Sequence, residues 1–217
     1  MQFFDLTHPI VPGMPVYPGS PGPVFTSLCS LAEHGFTEQL ISLSTHTGTH
    51  VDLPSHMLSD TGTLDDFGPE RFFGQGLVVD VGVPEGGIVT LDSMLRYERD
   101  MHSCEFLLLC SGWSRYWGKP GYFEGYPVLA DDAARWICGF GLKGIGVDMI
   151  SVDAPGDTVF PLHKLFLGKE IIIIENLVNL SPLIRRTFMF SCFPMKIGGG
   201  EASPSRAVAI TGKWEMT

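Results

Sequence analysis

Short runs of hydrophobic and β-branched residues recur along the chain, and polar or glycine- and proline-rich segments separate them. Apolar runs of this length, bounded by turn-forming residues, are typical of β-strands. The pattern predicts strands at residues 39–44, 76–81, 106–110, 144–149, 170–174, 187–193 and 206–211. Strands therefore make up most of the regular structure that the pattern predicts.

Three short helices are predicted between these strands. They are residues 91–98 after Thr90, residues 132–138 between Asp131 and Gly139, and residues 161–167, which start with proline and precede Gly168. Strands and helices alternate, and long connections such as residues 9–23 lie between them. The predicted fold class is α/β, a single domain over residues 1–217 with a mixed, partly barrel-like β-sheet and few short helices.

The composition is that of a globular chain. Hydrophobic residues make up 44% of the 217 positions, which is enough to form a core. Charged residues make up 18%, which is too low a fraction for a disordered chain. The longest apolar runs, 106–110 and 171–174, are far shorter than the roughly 20 residues of a membrane-spanning helix. The N-terminal segment has no basic region, so it does not resemble a signal or transit peptide. We expect a soluble protein.

The net charge and the cysteine content indicate which binding partners and which cellular compartment to expect. The chain has 14 Lys+Arg against 24 Asp+Glu, a formal net charge of −10. Nucleic-acid binders depend on cations that contact phosphates, so neither nucleic acid nor an anionic membrane surface is an expected partner. The five cysteines are an odd number without C-x-x-C spacing, which predicts reduced thiols and a cytoplasmic location.

The side chains with the most reactive chemistry concentrate in residues 46–56, which read His-Thr-Gly-Thr-His-Val-Asp-Leu-Pro-Ser-His. A helix would place His46 and His50 on one face, but the threonines, glycine, valine and proline of the segment oppose a helix. On a straight strand the two histidines would stand about 13 Å apart, too far to share an ion. The segment must therefore bend, and Gly48 is the residue that can take unusual backbone angles.

A bend at Gly48 would bring His46, His50 and Asp52 around one ion. Two imidazoles and a carboxylate are a common ligand set for catalytic zinc, iron or manganese, and they leave positions open for water and substrate. His56 would then be a spare imidazole that lies near the metal and transfers protons.

Histidines also have non-catalytic roles, and two such interpretations are considered for this chain. Isolated histidines are more often structural groups than ligands, and His8, His34 and His102 are interpreted in that way. The cluster itself has the alternative of a structural metal staple that holds the loops of a binding protein. Structural zinc sites prefer four closed ligands rich in cysteine, and no cysteine lies near residues 46–56 in sequence, which disfavours the staple.

The cluster resembles the H-x-G-T-H-x-D-x-P-x-H signature of the cyclase-like metal-dependent hydrolases, a family that includes bacterial kynurenine formamidase and isatin hydrolase. Further segments are similar to motifs of this family, namely residues 15–19, 111–118, 146–153, 175–180 and 203–209. The resemblance covers most of the chain and implies the cyclase-like swivelling β/α fold.

The resemblance implies two metal sites bridged by Asp52. His46 and His50 complete the first site, and His163 and Glu175 complete the second. The expected cofactor is a divalent metal ion, Zn²⁺ in the first place and Mn²⁺ as the alternative, with one or two ions per subunit.

The resemblance also implies hydrolysis of an amide-type C–N bond, with His56 as the catalytic acid/base. The expected substrate is N-formylkynurenine or a related aromatic formamide, and the alternative is a lactam of the isatin type. Tyr17 is the expected substrate-binding residue, at a position where many formamidase-like members have tryptophan. A homodimer or homotetramer is expected, in which the N-terminal segment reaches a neighbouring subunit.

Overall fold

The structure, a computed structural model, describes residues 1–212 of the chain. The strands in this part of the chain are β1 Gln2–Asp5, β2 Val24–Cys29, β3 Glu38–Ser42, β4 His50–Asp52, β5 Phe73–Asp80, β6 Ile88–Val89, β7 Phe106–Cys110, β8 Val128–Leu129, β9 Gly144–Val147, β10 Ile172–Glu175, β11 Phe188–Ser191, β12 Ala202–Pro204 and β13 Val208–Thr211. The prediction of a single domain over residues 1–217 stays a prediction, and positions 213–217 lie outside the described residues.

The α-helices are few and short, as predicted. Those of residues 1–212 are α1 Leu31–His34, α2 Leu91–Leu95, α3 Glu98–Met101, α4 Asp131–Ile137 and α5 Pro161–Leu167. Single 3₁₀ turns occur between the strands, and one of them, Pro54–His56, belongs to the histidine cluster. In the described part of the chain no helix has the length and apolarity needed to span a membrane.

Nine of the strands form one mixed sheet in the order β1-β13-β11-β5-β7-β9-β10-β4-β12. Strands β5, β7, β9 and β10 run parallel to one another, and the remaining neighbours pair antiparallel. The sheet curls into a half-barrel. Strands β2 and β3 form a separate hairpin, and β6 pairs with β8. The predicted fold class, with a mixed and partly barrel-like sheet and few helices, is confirmed.

Both faces of the central sheet are buried, which explains why β7 and the first three residues of β10 are continuous hydrophobic runs. Along β7, Leu107 and Leu109 pack into a cluster that includes residues of α4 and α5, while Phe106 and Leu108 pack into a second cluster. The second cluster also includes Phe190 of β11. The central strands are therefore enclosed by apolar side chains on both faces of the sheet.

Some predicted elements keep their bounds and others do not. Strand β7 and helix α5 have the predicted bounds, and Thr90 caps α2 by accepting a hydrogen bond from the Ser93 N–H. The single helix predicted over residues 91–98 is wrong. Two short helices form there instead, because the chain turns at Tyr97, which is buried and donates its hydroxyl to the Asp80 carbonyl.

Helix α4 starts at Asp131, one residue earlier than predicted, and Ala130 occupies the N-cap. Asp131 therefore lies in the first turn rather than before it. An acidic residue is favourable in the first turn because the helix dipole presents positive charge there.

Candidate metal centre

A cavity of about 280 Å³ opens at the carboxyl end of β10. Its lining includes every side chain for which the sequence predicts a site role: Tyr17, His46, His50, Asp52, His56, His163 and Glu175. These residues come from segments that are distant in sequence, so the fold assembles them. Sheets with parallel strands commonly bind ligands beyond the carboxyl ends of those strands.

The pairing of β4 with β10 positions three of these residues. Glu175 lies directly opposite His50 in the antiparallel register. His50 and Asp52 are two residues apart on β4, so their side chains emerge on the same face. The His50 Nε2 atom lies 3.3 Å from Asp52 Oδ1 and 3.5 Å from Glu175 Oε2. The register therefore places one imidazole between two carboxylates.

The predicted bend at Gly48 is present. Gly48 has a φ of +68°, a left-handed conformation that glycine adopts without steric cost. Across this bend, the centroids of the His46 and His50 rings lie 5.0 Å apart. His46 Nδ1 lies 2.8 Å from Asp52 Oδ1. The 3₁₀ turn Pro54–His56 then places the His56 ring 4.2 Å from that of His46.

His163 lies in the first turn of α5 and approaches both carboxylates of the cavity. Its Nε2 atom lies 3.3 Å from Glu175 Oε1 and 3.7 Å from Asp52 Oδ2. The Asp153 carboxylate accepts hydrogen bonds from the backbone N–H groups of Leu162 and His163, which fixes the start of the helix. Asp52 is thus the residue to which His46, His50 and His163 all come close.

Two of the imidazoles are oriented by partners outside the cavity lining. His50 Nδ1 lies 2.8 Å from the Gly48 carbonyl oxygen, and His163 Nδ1 lies 2.6 Å from Asp153 Oδ2. A carbonyl oxygen only accepts hydrogen bonds, so His50 Nδ1 carries the hydrogen. Both rings then present Nε2 to Asp52 and Glu175. Histidines that bind metals almost always donate their other ring N–H to a carboxylate or a carbonyl in this way.

The electrostatics of the cavity follow from burial and close opposite charges. Burial by itself would lower the pKa of His50, but Asp52 and Glu175 outweigh burial and raise it to about 9. Burial likewise opposes protonation of His163, whose pKa Asp153 and Glu175 raise to about 10. Burial disfavours ionised Asp52, yet the nearby His50 and His46 hold the pKa of its carboxyl well below the usual range. The carboxylates therefore favour positive charge at the centre of the cluster.

Several buried atoms of the cluster have no partner with hydrogen-bond geometry among the described residues. They are His50 Nε2 and both carboxylate oxygens of Asp52. Leaving a buried polar atom without a partner costs about 1–3 kcal/mol, so such atoms call for an explanation. Coordination of a cation would satisfy all of them, and the imidazole and carboxylate donors suit a divalent metal ion. The residues present therefore fit a metal ion.

The donor atoms fall into two sets that share Asp52. One set contains His46, Asp52 and His56, the other contains His50, Asp52 and Glu175, and within each set the atoms lie within 4.8 Å of one another. Asp52 is the member common to both sets, and its role as a bridge stays a prediction. The predicted grouping has short distances as well: Asp52 Oδ1 lies 2.8 Å from His46 Nδ1 and 3.3 Å from His50 Nε2, while His163 Nε2 approaches Asp52 Oδ2 and Glu175 Oε1. His56 enters the first set because the turn Pro54–His56 places its ring beside that of His46.

Two neighbours of the cluster, Glu201 and Asp153, are not among the site residues that the sequence predicts. Glu201 Oε1 lies 3.5 Å from His46 Nε2, and this oxygen also accepts a hydrogen bond from the Thr45 hydroxyl. No sequence motif marks Glu201; it approaches because β12, which follows it, pairs with β4. Asp153 lies in a segment that resembles a family motif, but only the structure shows that it orients His163.

The histidines interpreted as structural are absent from the cavity lining, as far as residues 1–212 define it. His8 stacks on Trp117 with ring centroids 3.9 Å apart, and His34 accepts a hydrogen bond from the Ser30 N–H. His102 packs against Phe140. The five cysteines are free, as predicted.

Comparisons with known proteins identify the family of this chain. Residues 4–154 match the family model "Cyclase", whose description is "Putative cyclase". An uncharacterized protein of Methanocaldococcus jannaschii is 32% identical over 97% of this chain and 100% of its own length. The kynurenine formamidase of Salinibacter ruber is 30% identical over 96% of this chain and 97% of its own length.

Solved structures give the same result. Isatin hydrolase A from Ralstonia solanacearum superposes with a TM-score of 0.86 at 26% identity, and the match covers 97% of this chain and 92% of the other. A predicted metal-dependent hydrolase from Bacillus stearothermophilus has a TM-score of 0.79 at 27% identity, with 96% and 97% of the two chains covered. The family model spans well over half of the sequence. This chain, whose buried Asp52 is shared by two sets of donor atoms, belongs to the cyclase family.

Proposed function

We propose that this protein is a metal-dependent hydrolase of an amide-type C–N bond, an arylformamidase that acts on N-formylkynurenine or a related aromatic formamide. The observation that carries the proposal is the buried Asp52 carboxylate, whose oxygens lack a partner with hydrogen-bond geometry while three imidazoles, those of His46, His50 and His163, approach them. The similarity to the kynurenine formamidase of Salinibacter ruber supports the choice of a formamide.

The cavity side chains divide between metal binding and proton transfer. His46, His50 and Asp52 would hold a first ion, and Asp52 with His163 and Glu175 would hold a second. Zn²⁺ is the proposed metal and Mn²⁺ the alternative, because both accept imidazole and carboxylate donors. When bound, such an ion lowers the pKa of its water from 15.7 toward roughly 7 and polarises a carbonyl oxygen.

His56 is the proposed catalytic acid/base. Its ring lies 4.2 Å from that of His46 and 5.9 Å from that of His163 between centroids, in the lining of the cavity. Burial lowers the pKa of His56, which favours the neutral imidazole. Neutral His56 accepts the proton of the attacking water and donates it to the leaving nitrogen, so that an aniline leaves uncharged.

The remaining lining of the cavity suits an aromatic substrate. It includes Tyr17, Met57, Ile150 and Phe160. Phe160 has a φ of +53°, a conformation that is strained for a bulky residue and that clusters at functional sites. Tyr17 is the proposed substrate-binding residue, and its ring would contact the aromatic part of an amide substrate.

A lactam hydrolase of the isatin type is the second candidate. The similarity to isatin hydrolase A from Ralstonia solanacearum, with a TM-score of 0.86, favours it. A metal staple without turnover is the alternative from another class. The open cavity beside the donor atoms argues against it, because a structural ion needs a closed ligand shell rather than space for a substrate.

A homodimer or homotetramer is part of the proposal. The hairpin of β2 and β3 exposes Val24, Leu28, Leu40 and Ile41, and the intervening Phe36 is exposed as well. An apolar hairpin of this kind is typical of a surface that a neighbouring subunit covers. The small-molecule substrate, the absence of a nucleic-acid partner and the cytoplasmic location stay predictions.

The test of the proposed function is the initial rate of N-formylkynurenine hydrolysis by protein reconstituted with zinc or manganese. A chelated sample of the same protein is the control. Metal-dependent release of kynurenine is the expected result. Turnover of isatin without turnover of any formamide would replace the first candidate with the second, and no turnover of either by metal-loaded protein would favour the staple.

Substituting Asp153 tests the orientation of His163. Asp153→Asn removes the carboxylate that lies 2.6 Å from His163 Nδ1, and we expect metal affinity to fall by about 10- to 100-fold. Titration with zinc against a competing chelator measures the change. Asp132→Asn is the matched control, because Asp132 is also a carboxylate near a helix N-terminus but is exposed on α4. Equal affinities for both variants and the wild type would contradict the role of Asp153.

A further inference from the structure

The orientation of His50 depends on one backbone carbonyl. The Gly48 oxygen accepts the hydrogen of His50 Nδ1 at 2.8 Å and thereby sets both the tautomer and the direction of the ring. Gly48 sits in a left-handed bend of a connecting segment, so neither helix nor sheet hydrogen bonds hold its carbonyl in place. Something else in the structure must fix the direction of this oxygen.

Asn176 fixes it. Its Nδ2 atom donates a second hydrogen bond to the Gly48 oxygen at 2.9 Å. Asn176 is 1% exposed, directly follows Glu175, and has a φ of +58°, which asparagine tolerates better than most residues. Its backbone is held on both sides, since its N–H donates to the Met149 carbonyl at 3.0 Å and its carbonyl accepts the Thr49 hydroxyl at 2.6 Å.

The side-chain amide of Asn176 has two ends that could face Gly48, and a tyrosine determines which one does. The Tyr122 hydroxyl donates to Asn176 Oδ1 at 2.7 Å. With Oδ1 engaged by a donor, Nδ2 is the group that faces the Gly48 carbonyl. Burial raises the pKa of Tyr122 well above its ordinary value, so the hydroxyl keeps the hydrogen that it donates.

Tyr122 is in turn held by the aromatic segment that follows β7. Its carbonyl accepts the Trp113 indole N–H at 2.9 Å, and its ring meets the Trp117 ring edge-on at 5.1 Å. The buried Asp148 carboxylate accepts hydrogen bonds from the backbone N–H groups of Gly112 and Trp113 and so anchors the start of this segment. Residues 111–118 are a motif to which the sequence assigns no role, and these contacts link that motif to His50.

We propose that Asn176 is a positioning residue for His50, and that Tyr122 acts through Asn176 by fixing the direction of its side-chain amide. The proposal rests on the proposed metal site, because the consequence of misplacing His50 is weaker metal binding. The chain of contacts is Tyr122 hydroxyl to Asn176 amide, Asn176 amide to Gly48 carbonyl, and Gly48 carbonyl to His50 imidazole.

The first variant is Tyr122→Phe, which keeps the buried ring and removes the donor. Partners that orient metal-binding histidines change metal affinity by about 10- to 100-fold, and we expect a loss of about 10-fold here because Tyr122 acts through two further groups. The second variant is Asn176→Asp, whose shape is nearly unchanged but which presents carboxylate oxygens alone to the Gly48 carbonyl. We expect a larger loss of affinity for it.

The matched control is Tyr97→Phe. Tyr97 is also buried and also donates its hydroxyl to a single partner, the Asp80 carbonyl at 2.9 Å, but it lies outside the cavity lining. Both tyrosine variants should lower the melting temperature by similar amounts. A role limited to stability would then leave the metal site of both unchanged, so the comparison separates positioning from stability.

The measurements are zinc affinity by chelator competition and the visible spectrum of the Co²⁺-substituted protein, neither of which requires turnover. The proposal expects weaker zinc binding and an altered spectrum in Tyr122→Phe and Asn176→Asp, with both properties unchanged in Tyr97→Phe. Wild-type values in Tyr122→Phe and Asn176→Asp would overturn it, as would an equal loss in Tyr97→Phe. A wild-type protein that binds neither metal would instead remove the proposed function and this inference with it.

Discussion

Asp52→Asn is expected to abolish stoichiometric metal binding and to reduce kcat/KM for the amide substrate by about 10³-fold or more. Asp52 is fully buried, and both donor sets of the cavity include it. A catalytic ion contributes several kcal/mol of transition-state stabilisation, and each 1.36 kcal/mol corresponds to a factor of ten in rate. Because asparagine has the same shape but no charge, the loss reports the carboxylate rather than the packing.

Metal content after dialysis and the hydrolysis rate are the two measurements for Asp52→Asn. Asp66→Asn is the control, because Asp66 is exposed and its carboxylate accepts hydrogen bonds from nearby Thr63. A circular dichroism melt shows whether each variant is folded. Full metal content and full activity in folded Asp52→Asn would refute the assignment of Asp52 to the metal centre.

The fold was predictable where burial on both faces gives an unambiguous hydrophobic run. Strand β7 has the predicted bounds for this reason. Strands β4 and β12 were missed because each has only three residues, and because β4 carries a histidine and an aspartate while β12 ends in proline. The pairing of β4 with β10 and with β12 depends on contacts distant in sequence rather than on a local pattern.

The candidate site likewise has one part that the sequence predicts and another part that only the structure shows. Residues 46–56 carry a local pattern of donors, and steric reasoning alone placed the bend at Gly48. Asn176 and Tyr122 carry no such pattern, since a buried asparagine and tyrosine are compatible with many roles. Their connection to His50 emerges only when the segment after β7 and the end of β10 come together at the Gly48 bend.

The position of His56 fits two different roles, proton transfer and metal binding. The resemblance implies that His56 transfers protons, whereas the structure places it beside His46 and Asp52 in one donor set. Substituting a proton-transfer residue and substituting a metal ligand have different effects on metal content and on rate. Loss of a ligand weakens metal binding, while loss of an acid/base leaves the metal in place and slows the step that needs the proton.

We therefore expect His56→Ala to retain its metal and to lower kcat by about 10²- to 10⁴-fold, the usual contribution of a general acid/base. The loss should be smaller for a formanilide with a nitro group on the ring, because its leaving nitrogen needs less protonation. His102→Ala is the control, since His102 is exposed at the end of α3. A loss of metal in His56→Ala, with equal effects on both substrates, would make His56 a ligand instead, and retained metal with full activity would remove it from the mechanism.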